Sequence, residues 1–204
     1  MIVVDAVQRS DEWHAARLGI PTASNFKRII TGTGKVSTQL EDYMDELLTE
    51  RLTGRREEIR VTEDMQYGID NEANARAWYE YVSGNAVEEI GLCLHDTIRA
   101  GASPDGLVDT KDGKGCIEIK CHRKPKKIVT MRRKDKVPVE HIPQIQAQLW
   151  VLGPDYKFCD FVAWSHEVKP FRMRVERDDE YIEKLEYLVS EMALNLDALE
   201  ERLC

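Results

Sequence analysis

Gly101-Ala-Ser-Pro-Asp-Gly-Leu-Val-Asp-Thr-Lys-Asp-Gly-Lys-Gly-Cys-Ile-Glu-Ile-Lys-Cys121 reads as two strands joined by a glycine-rich turn. Leu107 and Val108 on one side, and Cys116, Ile117 and Ile119 on the other, flank the polar loop 110–115. Strand side chains alternate between faces, so Ile117, Ile119 and Cys121 enter a core while Glu118 and Lys120 stand together on the opposite face. Closure of the hairpin through Asp112-Gly113 brings Asp105 near Glu118. Two converging carboxylates make a hard, oxygen-rich site suited to Mg²⁺ or Mn²⁺. A lysine beside them can orient or help deprotonate a water, or offset charge developing on a phosphate. Ser-Pro-Asp-Gly is also an ordinary turn signal and Glu-x-Lys an ordinary solvated strand face. On this pattern alone, a metal site and a plain hairpin both stay open.

Outward from this hairpin, 204 residues suffice for one sizeable core, and 42% hydrophobic with 32% charged residues places the chain among soluble globular proteins. No apolar run approaches the length of a membrane span, and the opening Met-Ile-Val-Val-Asp is too short and too quickly acidic for a signal peptide, so a cytoplasmic location is expected. Five cysteines, Cys93, Cys116, Cys121, Cys159 and Cys204, form an odd, scattered set without a Cys-x-x-Cys pair. That excludes the usual zinc and iron–sulfur spacings and a disulfide framework, leaving reduced thiols. The net charge of −8 argues against nucleic acid until its distribution is considered. Residues 120–136 hold nine Lys and Arg against one acid, Asp135, directly after the carboxylate pair. Such a run holds a phosphate backbone or forms a solvated charged loop.

Upstream, Ser10 caps a short helix that Gly19 stops, and a second helix opens at Pro21-Thr-Ala-Ser and ends at Gly32. Arg17 and Ser24 flank the turn between them, where a guanidinium near a helix N-terminus binds phosphate or pairs with a neighbouring acid. Thr38 with Glu41 forms a capping box for a helix through Thr53. A further helix spans about 62–83, and in it Gly68 precedes Glu72 by one turn. A mid-helix glycine costs about 1 kcal/mol, which points to a close approach there. Glu72 either faces the carboxylate site or pairs with Arg76 at i+4.

Strands are expected over 86–94 and 98–102, and a helix from Pro143 to Gly153 has one apolar face and places Gln144 and Gln148 on another. A second hairpin follows over 158–164 and 171–176. Asp178 then caps a long helix whose stripe of Tyr181, Leu185, Leu188, Met192, Leu196, Leu199 and Leu203 suits a core or a subunit interface. No repeat or linker interrupts the chain. One domain over 1–204 is expected, with helices over about 10–83, a sheet core over about 86–177 and a terminal helix over about 178–203.

Five features in order, Arg17-Leu-Gly-Ile-Pro-Thr-Ala-Ser24, Gly68-x-x-x-Glu72, Ser103-Pro-Asp-Gly106, Glu118-Ile-Lys-Cys121 and Gln144-x-Gln146, resemble the lambda-exonuclease (YqaJ-type viral recombinase) family of the PD-(D/E)xK nuclease superfamily. The resemblance runs from Trp13 to the final helix. It implies an α/β (α+β) fold with a restriction-endonuclease-like core, a central mixed sheet flanked by helices. It implies 5′→3′ digestion of one strand of linear double-stranded DNA to mononucleotides, by a homotrimer acting with a single-strand-annealing recombinase inside a bacterial host, and a phage or prophage origin.

Position by position, the resemblance makes Asp105, Glu118 and the Ile119 carbonyl ligands of Mg²⁺, with Mn²⁺ as substitute and two ions per site. Lys120 becomes the catalytic lysine, Gln144 a supporting glutamine and Glu72 the helix acid on the rim. Arg17 and Ser24 would take the 5′-phosphate, the basic residues Arg123, Lys124, Lys126 and Lys127 would bind DNA, and His95 would be a further metal ligand. Two other readings remain at this point: an endonuclease or resolvase on the same core, and a DNA-binding recombination protein without catalysis.

Overall fold

A computed structural model describes residues 1–56 and 60–203. The hairpin around Asp112-Gly113 is its central element. β4 (Gly106–Thr110) pairs antiparallel with β5 (Gly113–Cys121) in the register Gly106↔Ile117 to Thr110↔Gly113. Gly113 closes the turn at φ +108°, a conformation that a side chain strains against. β5 then runs parallel to β6 (Tyr156–Trp164), which pairs antiparallel with β7 (Phe171–Glu176), giving the sheet order β4-β5-β6-β7. Parallel neighbours need a crossover, and α4 (Lys126–Lys134) and α5 (Ile142–Leu152) supply it.

β5 is interior, so both of its faces are covered. On one side Ile117 and Ile119 join Val108, Phe158, Val162 and Trp164 under α3 (Glu63–Ser83), which contributes Ala75 and Tyr79. On the other, Cys116, Cys159, Phe161 and Ala163 lie under α5, on which α6 (Asp179–Leu203) packs, with α2 (Leu40–Thr53) against α6 in the same core. The alternation therefore holds as expected, but the Glu118–Lys120 face meets a helix rather than water. Gly115 is required by close packing, since a Cβ there would lie 2.3 Å from the Phe158 ring.

Beside this sheet a smaller antiparallel one joins β1 (Ile2–Val4), β2 (Leu92–Leu94) and β3 (Gly101–Ala102). The strands expected over 86–94 and 98–102 shrink to these short pieces, because residues 86–91 make only the single Glu88–Leu107 bridge. α1 (Asp11–Ala16) is capped by Ser10, whose hydroxyl accepts from Trp13 N–H at 3.2 Å. The segment after Pro21 is a 3-10 helix, Ala23–Arg28, rather than a longer α-helix. No side chain caps α2, and the Ser37 hydroxyl accepts from Gln39 N–H, so the Thr38–Glu41 box does not form. Asp178 caps α6 as expected, and Thr62 caps α3. Cys93, Cys116, Cys121 and Cys159 are free thiols, and Cys204 lies outside the described residues. Among the described residues no helix is long and apolar enough to cross a membrane.

Candidate active site

The end of β4 and the middle of β5 bring the expected carboxylates together. Asp105 N–H donates to the Ile117 carbonyl at 3.2 Å, continuing the ladder one residue past β4, and its Oδ2 accepts from Ile119 N–H at 2.6 Å. In a strand, the N–H and C=O of one residue point to the same edge. The Ile119 carbonyl is therefore turned to the edge where Asp105 sits and where the ladder has ended. Among the described residues no donor reaches Asp105 Oδ1.

Glu118 is only 1% exposed. Its Oε1 pairs with the Lys120 ammonium, and its Oε2 accepts from Gln148 Nε2 at 2.5 Å. Burial, then the Glu118 and Glu72 charges, raise the Asp105 carboxyl well above the usual carboxylate range, against the pull of Lys120 and the Ile119 N–H. Burial works to lower the Lys120 ammonium, but Glu118 and Asp105 outweigh it and hold it above its ordinary value. Two carboxylates thus face one ammonium in a poorly solvated place. Burial, then Glu72 and Asp105, push the nearby Cys121 thiol up to about 12, which removes it as a nucleophile.

Glu72 approaches from α3, and its two oxygens are held by Arg76 at 3.0 Å and Arg9 at 2.9 Å. Arg76 also donates through Nε to the Asp105 carbonyl at 3.3 Å, tying α3 to the carboxylate loop. The i+4 pairing and the approach to the site, set as alternatives by the sequence, therefore coexist. Among the described residues no three His, Cys, Asp or Glu side chains close into a ready ion cage. Gly68, one turn before it, has nothing within 4 Å of an added Cβ, so no part of the described fold approaches it closely.

Of the α5 glutamines, Gln148 touches Glu118, while Gln144, half-buried one turn earlier, makes no side-chain hydrogen bond among the described residues. Gln146 is structural, bonding the Glu176 carbonyl and Asp178 N–H. His95 is not brought to the carboxylates. Its ring stacks on Trp150 with centroids 4.3 Å apart, and its Nδ1 accepts from Thr97 and Ile98 N–H. His122 and His141, which no sequence motif marks, flank Lys120 instead. Burial first, then Lys127 and Lys120 for His122 and Lys120 for His141, lower each to about 4.

Arg17 is 9% exposed and lies 3.8 Å over the Trp13 ring. Its Nη2 donates to Thr22 Oγ at 3.1 Å, while its buried Nε has no partner among the described residues. Burial, then the Arg56 charge, lower it to about 10. Trp13 Nε1 donates to Ser103 Oγ at 3.0 Å, which links this guanidinium to the loop ending in Asp105. Ser24 is exposed on the 3-10 turn two residues after Thr22.

The basic run is mostly helix α4. Lys126 and Lys127 line a cleft of about 690 Å³ with Lys27, Lys134, Lys136 and His141. Lys124 is exposed, and Arg123 pairs with Glu63 at 3.0 Å and Asp64 at 3.1 Å at the start of α3.

A mixed sheet with helices on both faces, presenting Asp, Glu and Lys at the end of its hairpin, defines the PD-(D/E)xK nuclease class. The chain belongs to the YqaJ-like viral recombinase domain family, whose model matches residues 12–155. Among solved structures it is similar to LHK-Exo, an alkaline exonuclease from Laribacter hongkongensis, at 38% identity over 95% of this chain and 96% of that one, with a TM-score of 0.84. A structure of LHK-Exo in complex with dAMP gives the same identity and coverage with a TM-score of 0.83. A phage related exonuclease from Haemophilus somnus 129PT, 16% identical over 91% of this chain and 96% of that one, shares the fold at a TM-score of 0.68. No curated protein sequence matches the chain.

Proposed function

We propose that the protein is a Mg²⁺-dependent exonuclease that degrades one strand of linear double-stranded DNA from its 5′ end, releasing mononucleotides during phage-type recombination. The observation that carries this reading is the convergence of the Asp105 and Glu118 carboxylates and the Lys120 ammonium at the end of the hairpin. Kinship supports it, since the similar alkaline exonuclease has been crystallised with dAMP, a mononucleotide.

The donor set fits a divalent cation. Asp105 Oδ1 has no protein donor among the described residues, and the cost of ionising a buried carboxyl beside Glu118 is what a cation would relieve. Asp105, Glu118 and the Ile119 carbonyl would hold Mg²⁺ or Mn²⁺. When bound, such an ion lowers the pKa of water and offsets charge on the phosphate. Lys120, kept protonated by two carboxylates, donates to the attacking water or a phosphate oxygen as equatorial charge builds. Gln144, one turn nearer the helix start than Gln148 and without a side-chain hydrogen bond among the described residues, would reach substrate from α5. Glu72, neutralised by two arginines, forms the rim.

End selection belongs to Arg17. A buried guanidinium whose Nε has no partner and which makes no ion pair among the described residues would seat a terminal phosphate, with Ser24 two residues past its partner Thr22. Arg123, Lys124, Lys126 and Lys127 would grip the duplex backbone. Family kinship extends the reading to a homotrimer around DNA, to an annealing recombinase as partner and to the host cytoplasm. Linear duplex labelled at both ends tests it: with Mg²⁺ the 5′ label leaves first, and covalently closed circles stay intact. Release of the 3′ label first, or cutting of circles, would overturn it.

A further inference from the structure

Gln148 is fully buried on α5, above the face of β5 and β6 that carries Glu118. Its amide is bounded by three groups. Nε2 donates to Glu118 Oε2 at 2.5 Å, and Oε1 lies 3.9 Å from both Cys116 Sγ and Cys159 Sγ. Cys116 and Cys159 are register partners on the neighbouring parallel strands, and neither is exposed. Both are free thiols, and a thiol is an S–H donor.

A primary amide has two flip states, one end accepting and the other donating. With thiol donors on one side and a carboxylate on the other, only one state is satisfied: carbonyl to the sulfurs, NH₂ to Glu118. The reverse state sets the amide oxygen against the carboxylate and breaks both thiol bonds in a buried place, where unpaired polar atoms are expensive. Glu118 is then gripped from two directions, Oε2 by Gln148 and Oε1 by Lys120. A carboxylate has about four lone-pair sites, so these bonds fix its plane and leave lone pairs for a cation.

We propose that Gln148, keyed by the Cys116 and Cys159 thiols, is the positioning residue that sets the Glu118 carboxylate for divalent-ion binding. This role rests on Glu118 being a metal ligand, the reading proposed for the active site. It assigns the two cysteines a part that their burial alone, as small apolar groups, does not require.

The test is calorimetric Mn²⁺ binding to the full chain without DNA, beside steady-state kinetics on linear duplex. Gln148→Met keeps the length of the side chain and removes both polar ends. Loss of such an outer partner costs about tenfold or more in metal affinity, and kcat should fall with KM for DNA unchanged. C116A/C159A should lose affinity in the same direction. C116S/C159S, which restores a donor at each position, should recover affinity relative to the alanine pair even though hydroxyls suit an apolar core less well. Glu118→Gln separates the levels. If it binds Mn²⁺ as tightly as the parent chain, the metal reading fails and this inference with it. If Glu118→Gln loses binding while Gln148→Met keeps wild-type affinity and kcat, only the positioning role is overturned. Equal affinities for the alanine and serine pairs would overturn the keying by thiols.

Discussion

At Asp105, stability and the proposed function pull in opposite directions. Burial and two neighbouring carboxylates raise its carboxyl well above the ordinary range. A carboxyl raised in the folded state contributes stability below its unfolded pKa and loses it as pH rises through the folded value. Asp105→Asn should therefore raise the melting temperature of EDTA-treated protein at pH 8 by a few degrees, the scale of about 1 kcal/mol for this chain length. The gap should close towards pH 4, and nuclease activity should fall at least about a hundredfold. An unchanged melting temperature at both pH values would mean that the carboxyl is not under electrostatic load.

His122 and His141 have the other sign. Lowered from 6.5 to about 4, they contribute stability above pH 6.5 that is lost as pH falls towards 4. Thermal melts of wild type and H122Q/H141Q should diverge least at pH 7 and move in the variant's favour with acidification. A constant gap would contradict this. Asp105, Glu118 and Lys120 are legible in the sequence, because strand alternation and one short turn suffice to bring them together. Gln148 is half legible, since helical spacing puts it on one face with Gln144, but its partner lies thirty residues away and the choice between the two depends on how α5 crosses the sheet. The arginines holding Glu72 are half legible, since Arg76 is an i+4 neighbour but Arg9 comes from the far N-terminus.

Among the elements, α4 departs most from its sequence reading. A run of lysines and arginines carries little apolar signal, yet Ile128 and Met131 are buried and fold it as a helix, so its lysines form one wall of a cleft. Neutralising Lys126, Lys127 and Lys134 to Gln should weaken duplex binding and flatten its salt dependence, by about 0.9 in the log–log slope for each phosphate that a lysine no longer neutralises. Fluorescence anisotropy between about 50 and 200 mM salt measures this, and an unchanged slope would return α4 to a merely solvated face. α3, α5, β6, β7 and α6 are legible from caps and periodicity. The strands β2 and β3 are shorter than their apolar pattern suggests, since residues in that region pack through single bridges and loops. The 3-10 turn after Pro21 reads as α-helix in the sequence because propensity does not distinguish the two over six residues.

Across the molecule, the buried Arg17 and the α4 cleft each connect to the carboxylate site. Trp13–Ser103 ties the first to the carboxylate loop, and His141, which feels the Lys120 charge, lines the second. The layout predicts that Arg17→Ala slows digestion of 5′-phosphorylated ends about tenfold or more, the worth of a charge-assisted hydrogen bond, and affects 5′-hydroxyl ends far less. Equal losses on both ends would remove its role in reading the terminus.

All of these expectations meet at the carboxylate pair. The most direct test is anomalous diffraction from crystals grown with a short 5′-phosphorylated duplex and soaked in Mn²⁺. The account predicts a peak between the carboxylates of Asp105 and Glu118, within reach of the Ile119 carbonyl, and an ordered site without that peak would contradict it.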